Sequence, residues 1–349
     1  MDPLRPVTGA APEAVAALER WLAVPDEPPP LTVETSGSTG RPKRVVLSRA
    51  AVLASVEASA RRVGGTGRWL LALPSAYVAG VQVVCRSLGA GHRPVLAEEH
   101  PDFAAATEAL GAGPRFTSLV PTQLHRLLDD PASAAALATF HTILLGGGPI
   151  DPALRDRAEA AGVLVMATYG SAETAGGCVY DGMPLDGVGL AIGGDGRIRL
   201  AGPTLFDGYD GDPELTGQVL VDGWFLTSDA GRLDEDGRLQ VLGRLDDVVV
   251  TGGVNVPAPA VAARLRAHPA VADAEVLGVT DEEWGNRLVA FVVTSEGRGV
   301  SLADLRDWVA EERPRSWAPR QLVALEAMPL LGNGKPDRMR LRAMAEEDR

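Results

Sequence analysis

The chain has 349 residues, 46% of them hydrophobic, enough to bury a large core and to divide into two domains of ordinary size. Its formal net charge of -13 argues against a broad basic face for nucleic acid, which must neutralise phosphates, and leaves room only for a local anion site. Two cysteines, Cys85 and Cys178, cannot build a disulfide framework, and no stretch reaches the roughly eighteen apolar residues of a membrane span, so the expectation is a cytoplasmic protein without membrane insertion.

In chain order, "PDEPPP" (25–30) reads as a stiff linker into "TSGSTGRPK" (35–43). That stretch gathers Thr35, Ser36, Gly37, Ser38, Thr39 and Gly40, then Arg41 and Lys43 around a proline. A Walker A loop places lysine directly after its last glycine, whereas here Gly40 is followed by Arg41 and Pro42, so that reading fails. The means of holding an anion remain: glycines let backbone amides converge, the hydroxyls donate, and Lys43 adds a point charge. A polar turn between two strands would use the same residues.

Apolar runs at 68–74, 115–121, 142–148 and 163–170 read as buried strands ending at glycine or proline. They alternate with helical spacing at 49–62, 102–111, 122–129 and 151–161, which predicts a layered α/β domain around a largely parallel sheet. Ligands of such sheets bind at the carboxyl ends of the strands, where the glycine clusters fall. From about residue 187, turn signals such as "GDG" and "DGYDGD" separate short strands of an antiparallel β subdomain. A compact α+β unit follows: a strand (247–251), a helix (257–267), two strands (271–279 and 287–294), a helix (301–312) and a strand (321–327). The boundary is expected near Asp246, giving domains 1–245 and 246–349.

Five motifs in order, "TSGSTGRPK", "YGSAET" (169–174), "TSD" (227–229), "GRLDD" (243–247) and "GNGKPDR" (332–338), resemble those of the adenylate-forming, AMP-binding superfamily of acyl-CoA synthetases, adenylation domains and luciferases. The resemblance runs from about residue 32 to the C-terminus, and the long segment that precedes the loop in most relatives looks missing. Within the superfamily, "SLVPTQLHRLL" (118–128) and "GGCVYDGMPLDGVG" (176–189) most resemble the 2-succinylbenzoate–CoA ligases of menaquinone biosynthesis. The implied reaction joins an acid to ATP as an acyl-adenylate, then transfers the acyl group to CoA.

The resemblance also implies roles. Residues 35–40 and Lys43 would hold the β- and γ-phosphates, and Glu173 would hold Mg2+, a hard cation that prefers oxygen. Tyr169 would stack on adenine, with Gly170 and Ser171 beside it and Gly146, Gly147 and Gly148 lining the other face. Asp229 suits the ribose hydroxyls, Arg244 would reach the ribose or phosphate, and Asp246 matches the hinge about which a small mobile C-terminal domain turns. Lys335 matches the lysine that bridges the attacking carboxylate and the α-phosphate, and Gly252 and Gly253 match a segment lining the pantetheine tunnel. One departure is Ala172, where relatives usually carry threonine or serine.

The segment 74–91 matches the helix that flanks the acyl pocket, with Tyr77 where a histidine is usual. Gln82 and Arg86, spaced i, i+4, share one face of that apolar helix. Either they receive a second carboxylate of the acid, or the arginine stem extends its charge to solvent. Other functions stay open: an adenylate-forming ligase for another aryl or acyl acid or with a carrier-protein acceptor, and a non-catalytic nucleotide- or acyl-binding relative. A homodimer is a further expectation.

Overall fold

Ala11–Ala23 forms α1, which packs Trp21 and Leu18 inward. The computed structural model describes residues 10–35, 43–295, 298–331 and 336–347. A hairpin of β1 (Leu31–Thr35) and β2 (Lys43–Leu47) pairs Thr35 with Lys43 at the end where residues 36–42 connect the strands, and Leu31 with Leu47 at the other. Then come α2 (Arg49–Arg62), N-capped by Ser48, β3 (Arg68–Leu71), α3 (Val78–Gly89) and β4 (Val95–Leu96). The alternation continues through α4 (Phe103–Ala109), β5 (Arg115–Leu119), α5 (Pro121–Asp129), α6 (Pro131–Leu137), β6 (Thr142–Leu145) and α7 (Pro152–Ala160). It closes with β7 (Val165–Ser171), β8 (Gly176–Tyr180) and β9 (Met183–Pro184).

The seven strands from β3 to β9 form one sheet in the order β4-β3-β5-β6-β7-β8-β9. The first four neighbouring pairs are parallel and the last two antiparallel. Burial on both faces explains the continuous apolar runs: every residue of β6 is buried, and Leu70, Leu119, Ile143 and Leu145 share a core with Leu124 and Leu137 from the helices. This is the layered α/β core expected from the sequence.

The antiparallel region comprises β10 (Gly189–Ile192), β11 (Arg197–Ala201), β12 (Gly208–Tyr209), the short helix α8 (Pro213–Val219), β13 (Leu220–Val221), β14 (Trp224–Leu233) and β15 (Leu239–Arg244). The two residues of β12 leave this region to pair with β2. The chain divides into two compact units here, one of Met1–Ala191, Arg199–Thr227 and Leu233–Leu239, the other of Ile192–Ile198, Ser228–Arg232 and Gln240–Arg349.

In the second unit, β16 (Val248–Thr251) and β17 (Val254–Pro257) form a hairpin. After α9 (Ala258–Arg266), β18 (Val271–Asp281) pairs antiparallel with β19 (Gly285–Thr294), and after α10 (Leu302–Glu312), β20 (Gln321–Leu325) adds in parallel. Strand alternation sends Val276, Leu288, Ala290 and Val292 toward α9 and α10. Leu277, Val279, Val289 and Phe291 face Leu341 and Ala345 of a final helix, α11 (Arg338–Glu347). No helix among the described residues is long and apolar enough to cross a membrane.

Candidate active site

The parallel strands of the first unit deliver candidate residues at their carboxyl ends. Beyond β3, Tyr77 stands half-buried at the N-cap of α3; beyond β6 comes Gly146; and β7 runs directly into Tyr169, Gly170 and Ser171. The close packing of β6, β7 and β8 explains two of the glycines. A Cβ on Gly170 would fall 2.2 Å from the carbonyl oxygen of Gly176, and one on Gly146 would fall 2.4 Å from Thr168 Oγ1. Gly147 has φ +83°, a conformation that L side chains rarely adopt, while Gly147 and Gly148 are exposed.

After β7 the chain tightens into a 3-10 turn over Ala172–Thr174. Thr174 Oγ1 donates to the Gly176 carbonyl at 2.7 Å and accepts the Ser171 amide at 2.9 Å, while Ala172 is buried. The turn holds the half-buried Glu173 by its backbone as well, since its carbonyl accepts the Phe206 amide at 2.9 Å. Glu173 Oε1 accepts a hydrogen bond from the Tyr209 hydroxyl at 2.9 Å. Lys43 Nζ lies 5.3 Å from the centroid of the same tyrosine ring. Two of the catalytic residues expected from the sequence, far apart in the chain, thus converge on one aromatic side chain.

Tyr209 was not singled out in the sequence. Its only signal there is the tyrosine inside "DGYDGD", a stretch that reads as a turn. It is 7% exposed, and its strand pairs with β2, Tyr209 opposite Val45.

Helix α3 carries a second polar feature. Gln82 is 1% exposed, and neither atom of its amide has a hydrogen-bond partner. Arg86, 6% exposed, lies over the Trp69 ring at 5.3 Å and donates through Nη2 to the Tyr180 hydroxyl at 3.2 Å, leaving Nε unpartnered. The arginine therefore does not extend its charge to solvent. Tyr180 also exchanges a 2.9 Å hydrogen bond with Ser59 Oγ, so a polar seam of α2, α3 and β8 runs through an apolar interior.

Other candidates belong to the second unit: Asp229 on β14, Arg244 at the end of β15, and Gly252 and Gly253 at the turn of the β16–β17 hairpin. Both glycines have positive φ, +55° and +78°, as a two-residue hairpin turn requires. A Cβ on Gly252 would meet the Trp284 ring at 2.7 Å, and the Arg320 guanidinium stacks on that ring at 3.5 Å. Asp246 sits in the 3-10 turn Leu245–Asp247. Ser36, Gly37, Ser38, Thr39, Gly40, Lys335 and the Asp246 side chain lie outside the described residues.

Among the described residues no group of three or more His, Cys, Asp or Glu side chains could hold a metal ion. The donor set fits Mg2+ all the same, because that ion commonly takes one or two carboxylates and completes its shell with substrate phosphates and water. Glu173 offers one such carboxylate, with Oε2 free of the hydrogen bond that occupies Oε1.

The sequence matches the AMP-binding enzyme family over residues 33–223 and the AMP-binding enzyme C-terminal domain over 260–335. The probable 2-succinylbenzoate–CoA ligase of Mycobacterium tuberculosis (strain ATCC 25618 / H37Rv) is 44% identical over 324 residues, covering 90% of this chain and 84% of that protein. The 2-succinylbenzoate–CoA ligase of Listeria innocua is 32% identical over 323 residues, 88% of this chain and 68% of that one. Among solved structures, o-succinylbenzoate CoA synthetase from Bacillus subtilis in complex with the acyl-adenylate intermediate superposes with TM-score 0.76 at 29% identity, over 89% of this chain and 68% of that one. The amide bond synthetase McbA from Marinactinospora thermotolerans gives 0.79 at 30% identity, over 90% and 68%.

Proposed function

Because the chain belongs to the AMP-binding enzyme family, we propose that it is an ATP-dependent acid–CoA ligase that converts 2-succinylbenzoate to 2-succinylbenzoyl-CoA. In the first half-reaction a carboxylate oxygen of the acid attacks the α-phosphorus, the bond to the bridging oxygen breaks, and pyrophosphate leaves. In the second, the CoA sulfur attacks the acyl carbon, AMP leaves, and the thiol proton passes to solvent.

One observation carries the reading. Lys43 and Glu173 converge on Tyr209, which brings together a cation and a carboxylate of the kind that a polyphosphate and its Mg2+ call for. Mg2+ held by Glu173 would neutralise charge on that polyphosphate. Thr35, Ser36, Gly37, Ser38, Thr39 and Gly40 supply donors, and Tyr169 with Gly146, Gly147 and Gly148 receives the adenine. Asp229 takes the ribose hydroxyls, Arg244 the ribose or phosphate, and Lys335 bridges acid and α-phosphate. Asp246 is the hinge, and Gly252 and Gly253 leave room for the pantetheine arm. Tyr77, Gln82 and Arg86 receive the acid; the buried, unpartnered amide of Gln82 favours an acid with a second polar group, because an unmet buried polar group costs about 1–3 kcal/mol.

The test is incubation with ATP, Mg2+ and a panel of carboxylic acids, with and without CoA, with AMP and thioester followed by mass. The expected result is AMP and 2-succinylbenzoyl-CoA. AMP without thioester would point to a carrier-protein acceptor, and no acid-dependent AMP to a binding protein. Lys335→Ala is expected to lose adenylate formation yet convert preformed acyl-adenylate with CoA. A homodimer and a cytoplasmic location belong to the same reading, checked by light scattering and by cell fractionation.

A further inference from the structure

Lys43 and Glu173 carry opposite charges near one another, and the simplest outcome would be a direct ion pair. No ion pair joins them among the described residues; instead each meets Tyr209, Glu173 its hydroxyl at 2.9 Å and Lys43 its ring at 5.3 Å from the centroid. A tyrosine suits this division. Its ring face attracts a cation and its hydroxyl donates to a carboxylate, so both ions keep capacity for another ligand.

Tyr209 is itself fixed from several sides. Its strand pairs with β2, the strand that begins at Lys43, and its amide donates to Thr216 Oγ1 at 2.9 Å. Thr216 Oγ1 in turn donates to the Asp212 carbonyl at 2.8 Å. The next residue, Asp210, pairs with Arg44 at 3.3 Å. Phe206 packs edge-on against the tyrosine ring at 5.0 Å, and the Phe206 amide holds the Glu173 carbonyl. The hydroxyl is thus aimed before any ligand arrives.

We propose that Tyr209 is a positioning residue for phosphate and metal binding: it holds Glu173 and Lys43 apart, one on its hydroxyl and one on its ring, so that neither neutralises the other. This rests on the roles proposed for Glu173 and Lys43. Tyr209→Phe keeps the ring and the cation contact and removes only the hydroxyl; Tyr209→Leu removes both.

Calorimetry reads the binding without any acid. With Mg2+ present, Tyr209→Phe is expected to bind ATP about tenfold more weakly, the loss of one hydrogen bond to a charged group. Without Mg2+ its affinity for ATP also falls, but by less, because the released Glu173 neutralises Lys43, while Tyr209→Leu is weakened in both conditions. Adenylate formation, read by acid-dependent ATP–pyrophosphate exchange, needs more Mg2+ for half-saturation in Tyr209→Phe, and thioester formation from preformed acyl-adenylate stays within about twofold. Adding Tyr209→Phe to Glu173→Gln costs nothing further, because the hydroxyl acts through that carboxylate. A wild-type Mg2+ response in Tyr209→Phe, or full additivity with Glu173→Gln, overturns the positioning role. If Glu173→Gln itself leaves Mg2+-dependent ATP binding intact, the role proposed for Glu173 falls, and this inference with it; wild-type protein that binds Mg·ATP but makes no adenylate overturns the ligase reading alone.

Discussion

Arg338 donates through Nη1 to both carboxylate oxygens of Asp247, at 2.7 and 2.9 Å. Its Nε donates to Glu275 at 2.8 Å, so the first residue of α11 ties the 3-10 turn ahead of β16 to the middle of β18. Burial raises the pKa of Glu275 despite the guanidinium beside it. The pKa of Arg338 is also raised: burial lowers it, but the charges and hydrogen bonds of Glu275 and Asp247 outweigh that. Burial thus decides the direction at Glu275, and the attraction within the cluster shows on the arginine.

Replacing Arg338 by alanine strands Glu275 without its partner. Breaking a buried pair costs about 3–5 kcal/mol, and partial exposure of the arginine reduces this to roughly 1–3 kcal/mol for the second unit. Urea unfolding should show a lower midpoint. The sign of the pH dependence follows from linkage. A carboxyl whose folded pKa lies above its unfolded value adds stability below the unfolded pKa and loses it as pH rises through the folded pKa. The penalty of Arg338→Ala should therefore be small below the unfolded carboxyl pKa and grow as pH rises through the raised folded pKa, where Glu275 ionises without the Arg338 guanidinium. A penalty that does not change with pH would show that Glu275 is not what Arg338 compensates.

The two cysteines give a second pH prediction. Cys85 and Cys178 are wholly buried, and burial pushes both thiols up to about 12, Cys85 in spite of the neighbouring Arg86. Because only the thiolate reacts, iodoacetamide at about pH 8 should leave both unlabelled in the folded protein and label both in urea, as mass spectrometry would show. Their contribution to stability is full below the unfolded thiol pKa, near 9.0, and is lost as pH rises toward 12.

Gly170→Ala tests the strand packing beneath the proposed adenine site. The added methyl would meet backbone, the Gly176 carbonyl at 2.2 Å and Gly177 Cα at 2.8 Å, so no side chain can swing clear. Overpacking of this kind costs about 1–3 kcal/mol, a drop of several degrees in Tm. Gly148→Ala meets nothing within 4 Å and should leave Tm unchanged.

Much of this architecture is written locally. Runs such as "TILL" announce strands buried on both faces, and i, i+4 spacing put Gln82 and Arg86 on one helix face. Elements with little apolar patterning were not legible: α11, "RMRLRAMAEE", buries only Leu341 and Ala345, and α8 buries nothing. Tyr209 escaped for a different reason. Its meaning lies in contacts with Glu173 and Lys43, and nothing in a turn-like "GYDGD" indicates that β12 will pair with β2. The burial of Arg86 was equally hidden, since spacing shows which face a side chain shares but not what covers it.

Gln82 separates the needs of folding from those of binding. Its amide is buried and unmet, so a purely structural position would be better served by leucine, of similar size and without polar atoms. Gln82→Leu should stabilise the protein by about 1–2 kcal/mol, the desolvation penalty it relieves. If the amide instead waits for the second polar group of the acid, the same variant should raise KM for 2-succinylbenzoate at least tenfold while leaving KM for ATP alone, since one hydrogen bond to a charged group is lost. Thermal melts and two-substrate kinetics on that one variant decide it. A more stable enzyme with a weaker grip on the acid supports the acyl site on α3, whereas a more stable enzyme with unchanged KM removes Gln82 from it.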